Sequence, residues 1–140
     1  MQVIKITTDN EISIVDVSEQ EDLLKTLQKE VDGFIEIVRP HGLMEISTVL
    51  AETIGPLVML VDEDGRCKFK EINAVGTRLY HNSIAGDILL CKEVYKEGTG
   101  YDLELFTEDE ALSVCRLFKL IFNDLKEKNS GGLADGTDGI

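Results

Sequence analysis

LVMLVDEDGRCKFKEI, residues 57–72, sets three acids and a glycine between two apolar runs, and its reading decides the fold. Such a stretch either holds a cation or turns a corner. A calcium loop of the helix–loop–helix type needs acids at positions 1, 3 and 5, glycine at 6 and glutamate at 12. With Asp62 and Asp64 at positions 1 and 3, Gly65 falls at 4 and Asn73 at 12. The flanks also read as strands. Leu57 to Val61 is apolar without alternation, which suits a central strand covered on both faces. Downstream, Cys67 and Phe69 alternate with Lys68 and Lys70. Asp-Gly between two strands is hairpin chemistry, because glycine accepts φ > 0. Residues 62–65 are therefore expected to form a hairpin turn without a calcium site.

Upstream, Ile4 and Ile6, then Ile12 and Ile14, alternate with polar residues around a Thr8–Asp9–Asn10 turn, a second hairpin. Ser18 with Glu21 three residues on is a capping box, and Leu23, Leu24, Leu27 and Val31 share a face. A helix over 18–31 follows. GFIEIVR, residues 33–39, reads as a strand, and Ile46, Leu50 and Ile54 suggest a short helix over 43–54. Beyond the turn, NAVGTRLYHNSIAG (73–86) reads as a polar connection and DILLCKEV (87–94) as a buried strand. YDLELF (101–106) alternates, with Tyr101, Leu103 and Leu105 on one face. Thr107 and Glu110 form another capping box for a helix over 107–127, whose core stripe is Ala111, Val114, Cys115, Phe118, Ile121 and Leu125. Six or seven strands with two main helices, not arranged as βαβ units, predict an α+β fold with a mixed, mainly antiparallel sheet. One domain over 1–128 is expected, followed by a flexible glycine-rich tail at 129–140.

The chain has 140 residues, 43% hydrophobic and 29% charged, which predicts an ordered core rather than disorder. Its 14 basic and 27 acidic residues give a net charge of −13. That field opposes nucleic acids and anionic membranes, whose binding relies on Lys and Arg at phosphates. Three cysteines without metal-type spacing fit a reducing compartment and small core positions. MQVIKITTDN carries no apolar signal core and no run is long enough to cross a bilayer, so a cytoplasmic location is expected.

Catalytic patterns are scarce. The two histidines, His41 and His81, lack zinc-helix spacing, and there is no nucleophile elbow or glycine-rich phosphate loop. No enzyme activity, catalytic residue, metal or cofactor is expected. Two loops concentrate unusual polar groups: Arg39 and His41 in one, Asn73, Arg78, Tyr80 and His81 in the other. Guanidinium groups suit phosphate and carboxylate, so converging loops would make a site for a small nucleotide-like anion. The ordinary alternative is that both arginines pair with surface acids and Asn73 caps a turn. Acids also run together without a base over 9–22 and 97–110. Asp102, Glu104, Glu108, Asp109 and Glu110 could contact a basic protein, or simply be solvated acids at a helix start. Self-association stays open.

The order of five segments resembles a known family. They are VDGFIEIVRPHGL, VMLVDEDG, KEINAVGTRLY, IAGDILLCKE and FTEDEALSVCRLF, and they look like the bacterial and phage proteins grouped as domain of unknown function 3846. The likeness spans roughly residues 20–120 and rests on Gly33–Phe34–Ile35–Glu36, on Asp62, Glu63 and Gly65, on Asn73–Ala74 and on Gly86–Asp87. MEISTVLAETIGP is longer than the family's usual link there, and the glycine-rich tail is extra. The resemblance implies a small cytoplasmic protein of mobile elements, without an assigned enzyme activity. By analogy with phage accessory proteins, it implies inhibition or modulation of a host defence protein, or sequestration of a nucleotide signal.

Overall fold

In the computed structural model, residues 1–20, 22–40 and 52–125 are described. The elements are β1 (Gln2–Ile6), β2 (Ile12–Asp16), α1 (Leu23–Val31), β3 (Ile35–Val38), β4 (Leu57–Asp62), α2 (Ala74–Tyr80), β5 (Ile88–Lys96), β6 (Gly100–Glu104) and α3 (Glu108–Ile121). Strands β1 and β2 form the expected hairpin, turning through Asn10 at φ 66°. The sheet order is β2-β1-β5-β4-β3, with β6 also on β5, and every pairing is antiparallel. The fold is α+β.

Strand β5 is the hub. Its Leu90 pairs with Ile4 on one edge and Met59 on the other, while its Lys92 pairs with Glu104 and Leu57. Strands β1 and β6 therefore lie end to end along the same edge of β5. Where they meet, Gln2 and Phe106 exchange backbone hydrogen bonds of 2.9 and 2.8 Å, and the Phe106 ring is fully buried.

Both sheet faces are covered, which explains why β4 is apolar from Leu57 to Val61. Ile4, Ile6, Met59, Val61, Ile88 and Leu90 pack with Val75 and Leu79 of α2 and with Val114 and Phe118 of α3. On the opposite face, Val58, Leu60, Leu89 and Cys91 pack with Leu27 and Val31 of α1. Both cores depend on apolar area removed from water.

Several sequence expectations need correction. The first helix begins at Leu23, not at residue 18, because Asp22 accepts from the Lys25 N–H as its N-cap. Ser18 instead closes a turn onto the Gln20 N–H, and Leu24 is exposed. The turn at 62–65 exists, with Gly65 N–H donating to the Asp62 carbonyl at 3.1 Å, but it does not open a β-hairpin. Residues 63–69 coil through successive turns and Phe69, at φ 58°, lies exposed. Lys70 is partly buried and the more exposed Lys68 reaches the buried Asp62 carboxylate, while Cys67 and Phe69 are exposed. Residues 73–86 are not a plain connection, since they contain α2. The last long helix is continuous to Ile121, turns at Phe122 and is helical again over 123–125, while 126 and 127 lie outside the described residues. Cys91 and Cys115 are buried, whereas Cys67 is exposed. The 43–54 helix falls mostly, and the 129–140 tail wholly, outside the described residues.

Candidate functional site

Asp62 organises the end of α1. Its fully buried carboxylate accepts from Lys68 at 2.8 Å, from Lys70 at 2.7 Å and from the Asp64 N–H at 2.9 Å. Both ammonium groups also donate to the Asp32 carbonyl, at 3.3 and 2.8 Å, and Lys70 reaches the Val31 carbonyl at 3.0 Å. The lysines thereby satisfy the last carbonyls of the helix and oppose its negative end. Burial pushes the Asp62 carboxyl up, but the Lys68, Lys70 and Asp64 hydrogen bonds outweigh it and hold the group at about 2. The same contact raises Lys68 above its ordinary value. Gly33 is required above the carboxylate, because a methyl group there would collide with it.

The residues expected to bind an anion are dispersed. Arg39 is held by Glu93, and its guanidinium lies 5.9 Å from the Tyr101 ring centroid. Glu93 belongs with Leu89 and Cys91 on the α1 side of the sheet, by strand alternation. Arg78, on α2 across the sheet, meets Asp124 at 3.4 Å. Each arginine thus has its own acid. Asn73 is buried and structural: it caps α2 through the Gly76 N–H at 2.9 Å and donates to the Ile6 and Gly86 carbonyls at 3.0 Å each. Tyr80 is half-buried against the core. His81 ends α2 in the left-handed region at φ 66° and lines a shallow groove of about 610 Å³ with Arg78 and Thr77. His41 lies outside the described residues.

The acids expected to meet a partner gather on the other face. Lys92, nearly buried, draws in Glu110 at 2.8 Å and Glu104 at 3.7 Å. Burial raises the Glu110 carboxyl, but bonds from Lys92 and Thr107 prevail and lower it. Thr107 and Glu110 complete the capping box that the sequence predicts. Asp102 pairs with Lys96 at 3.3 Å. Glu108 and Asp109, exposed in the first turn of α3, make no ion pair with any described residue. Nearby, β4 leaves β5 at Lys92, so among the described residues Val94–Lys96 pair only with Gly100–Asp102. The two strands project as an arm carrying Tyr95 and Tyr101, directly opposite each other, 67% and 68% exposed, with ring centroids 5.3 Å apart.

Sequence reading missed one cluster. Lys25 and Lys29 on α1 and Lys68 from the turn line a cleft of about 400 Å³ beside Phe34. The available signal was the i, i+4 spacing of Lys25 and Lys29, which is common on solvated helices. The buried Cys91 thiol, pushed up to about 12 by burial and then by Glu93, is unsuited to nucleophilic chemistry. Among the described residues, no group of His, Cys, Asp or Glu is arranged to hold a metal ion, and no helix is long and apolar enough to cross a membrane.

Comparison with solved structures finds a likeness to the crystal structure of small RNA methyltransferase HEN1, at a TM-score of 0.51 and 16% identity. It covers 81% of this chain but 16% of that one, and at this identity it speaks for the fold alone. No curated protein matches the chain. A family model matches residues 1–111, taking in the β1–β2 hairpin, the Asp62 turn and the start of α3, and the chain belongs to the family described as Domain of unknown function (DUF3846).

Proposed function

We propose that this protein is a non-enzymatic binding module that engages a basic protein through the β5–β6 arm and the acidic start of α3. The observation that carries the reading is the exposed Tyr95–Tyr101 pair on an arm that little else covers. Tyrosine is enriched at protein interfaces because it offers large, rigid contact area with a polar tip. Buried in the core, these rings would need no explanation. On a projecting arm they invite a partner.

Charge supports the choice of partner. Asp102, Glu104 and Glu110 pair with Lys92 or Lys96, and the exposed Glu108 and Asp109 of the first turn of α3 add two further acids, which leaves the patch negative on a chain of net −13. A basic partner would gain on-rate from this field, screened over about 8 Å at physiological salt. The finer reading, a mobile-element protein that modulates a host defence protein, rests on analogy with phage accessory proteins.

Native mass spectrometry of the full chain in host lysate, with matched variants, tests the proposal. The complex is expected to weaken about tenfold with Tyr101→Ala, the scale of one interface residue worth about 1.4 kcal/mol. Glu108→Gln with Asp109→Asn should slow association and flatten its salt dependence. A complex indifferent to both sets of substitutions would remove this surface from consideration.

A further inference from the structure

We infer that the cleft between the end of α1 and the turn at 64–68 binds a small phosphate-bearing aromatic molecule of the nucleotide class. This goes beyond the protein-binding surface, from which it is distinct in residues and elements. Three lysines converge there from positions far apart in sequence: Lys25 and Lys29, one helical turn apart, and Lys68. The cleft's acids are Asp32 and Asp64, so its formal charge is +1 on a chain of −13. Lys25 and Lys29 make no ion pair with any described residue. On so acidic a protein, two cations that face one cleft and have no acid partner among the described residues invite an anion.

The end of a helix ordinarily repels anions, because its free carbonyls are negative. Here Lys68 and Lys70 donate to those carbonyls and are anchored by buried Asp62. Lys70 spends its three protons on Asp62, Val31 and Asp32. Among the described residues Lys68 bonds Asp62 and Asp32, which leaves one of its three protons for a ligand. Gly33 keeps the wall low, and Phe34, 65% exposed, stands at its edge. An exposed ring beside the ammonium groups of Lys25, Lys29 and Lys68 matches a base that stacks and a phosphate that pairs. The volume, about 400 Å³, lies within the usual range for small-molecule sites. A nucleic-acid strand would meet the repulsion of the whole chain, whereas a small ligand meets mainly the local field.

Calorimetry of the full chain with ADP, inorganic pyrophosphate and adenosine, without divalent ions, tests this, with amide shifts mapped by NMR. ADP should bind saturably and shift Lys25, Lys29, Gly33 and Phe34. Lys25→Gln with Lys29→Gln, which removes both charges, keeps part of each apolar stem and should melt like wild type, should weaken ADP about tenfold or more. Phe34→Ala should weaken ADP about tenfold, the scale of one lost stacking contact, and leave pyrophosphate unchanged. Equal affinity for ADP and pyrophosphate overturns the proposal, as do shifts centred on Arg78 and His81 or a failure to saturate at millimolar ADP. Tighter binding of a glutamate-rich peptide at the same residues also overturns it, by assigning the cleft to acidic chains.

Discussion

Arg39 grips Glu93 through two hydrogen bonds, 3.0 Å from Nε to Oε1 and 2.6 Å from Nη2 to Oε2. The pair fastens the end of β3 to the base of the β5–β6 arm, and the Arg39 fork is committed to structure. Glu93 is nearly buried, so losing its cation leaves a carboxylate short of partners.

Arg39→Ala should cost about 1–2 kcal/mol in urea unfolding, discounted because the guanidinium is more than half exposed. Amide exchange in the arm at Tyr95 and Tyr101 should quicken. Arg39→Lys should recover only part, since an ammonium lacks the planar fork. By contrast Arg78→Ala, which breaks an exposed 3.4 Å contact to Asp124, should change stability by less than about 0.5 kcal/mol. Unaltered arm exchange in Arg39→Ala would refute the fastening role.

Asp62 should make stability depend on acid. Its folded value, about 2, lies below the usual 3.8, so the unfolded chain binds the proton first as pH falls. The stabilisation is full above about pH 4 and is lost between about pH 4 and pH 2. Thermal melts over this window should fall more steeply for wild type than for Asp62→Asn. At pH 7 the variant should be less stable by about 2–4 kcal/mol, because two lysines lose their shared acceptor. Parallel melting curves would contradict the arrangement.

Asn73→Ala should cost about 2–4 kcal/mol, combining a lost helix cap with the stranded carbonyls of Ile6 and Gly86. Asn73→Asp keeps the acceptor for the Gly76 N–H but turns a carboxylate on those carbonyls. It should therefore rescue little at pH 7. Chemical denaturation of the three proteins measures this, and full rescue by Asp would mean the two carbonyl contacts contribute nothing.

Phe106→Ala should be costlier, about 3–5 kcal/mol, because the ring is fully buried where β1, β5 and β6 meet. Guanidinium denaturation with an unchanged m-value would place the loss in packing. A cost below about 1 kcal/mol would mean the junction repacks around the gap.

Local patterns were legible where the physics is local. Alternation about a short turn specified the β1–β2 hairpin, unbroken apolarity specified β4 as covered on both faces, and Thr107 with Glu110 specified the start of α3. Each needs only neighbours within a few residues, so sequence alone determined it. The rest depended on groups brought together from afar. Asn73 caps α2 locally through the Gly76 N–H, but its amide is also held in place by the Ile6 carbonyl, 67 residues away. Lys68 and Lys70 turn onto Asp62 and the end of α1, the latter up to 39 residues away, and that attraction outweighs strand alternation at Cys67 and Phe69. Arg39 found its partner 54 residues on, and Lys25, Lys29 and Lys68 became one cleft only when α1 met the turn. Charge and hydrogen-bonding partners act through space, and only the tertiary structure sets those distances.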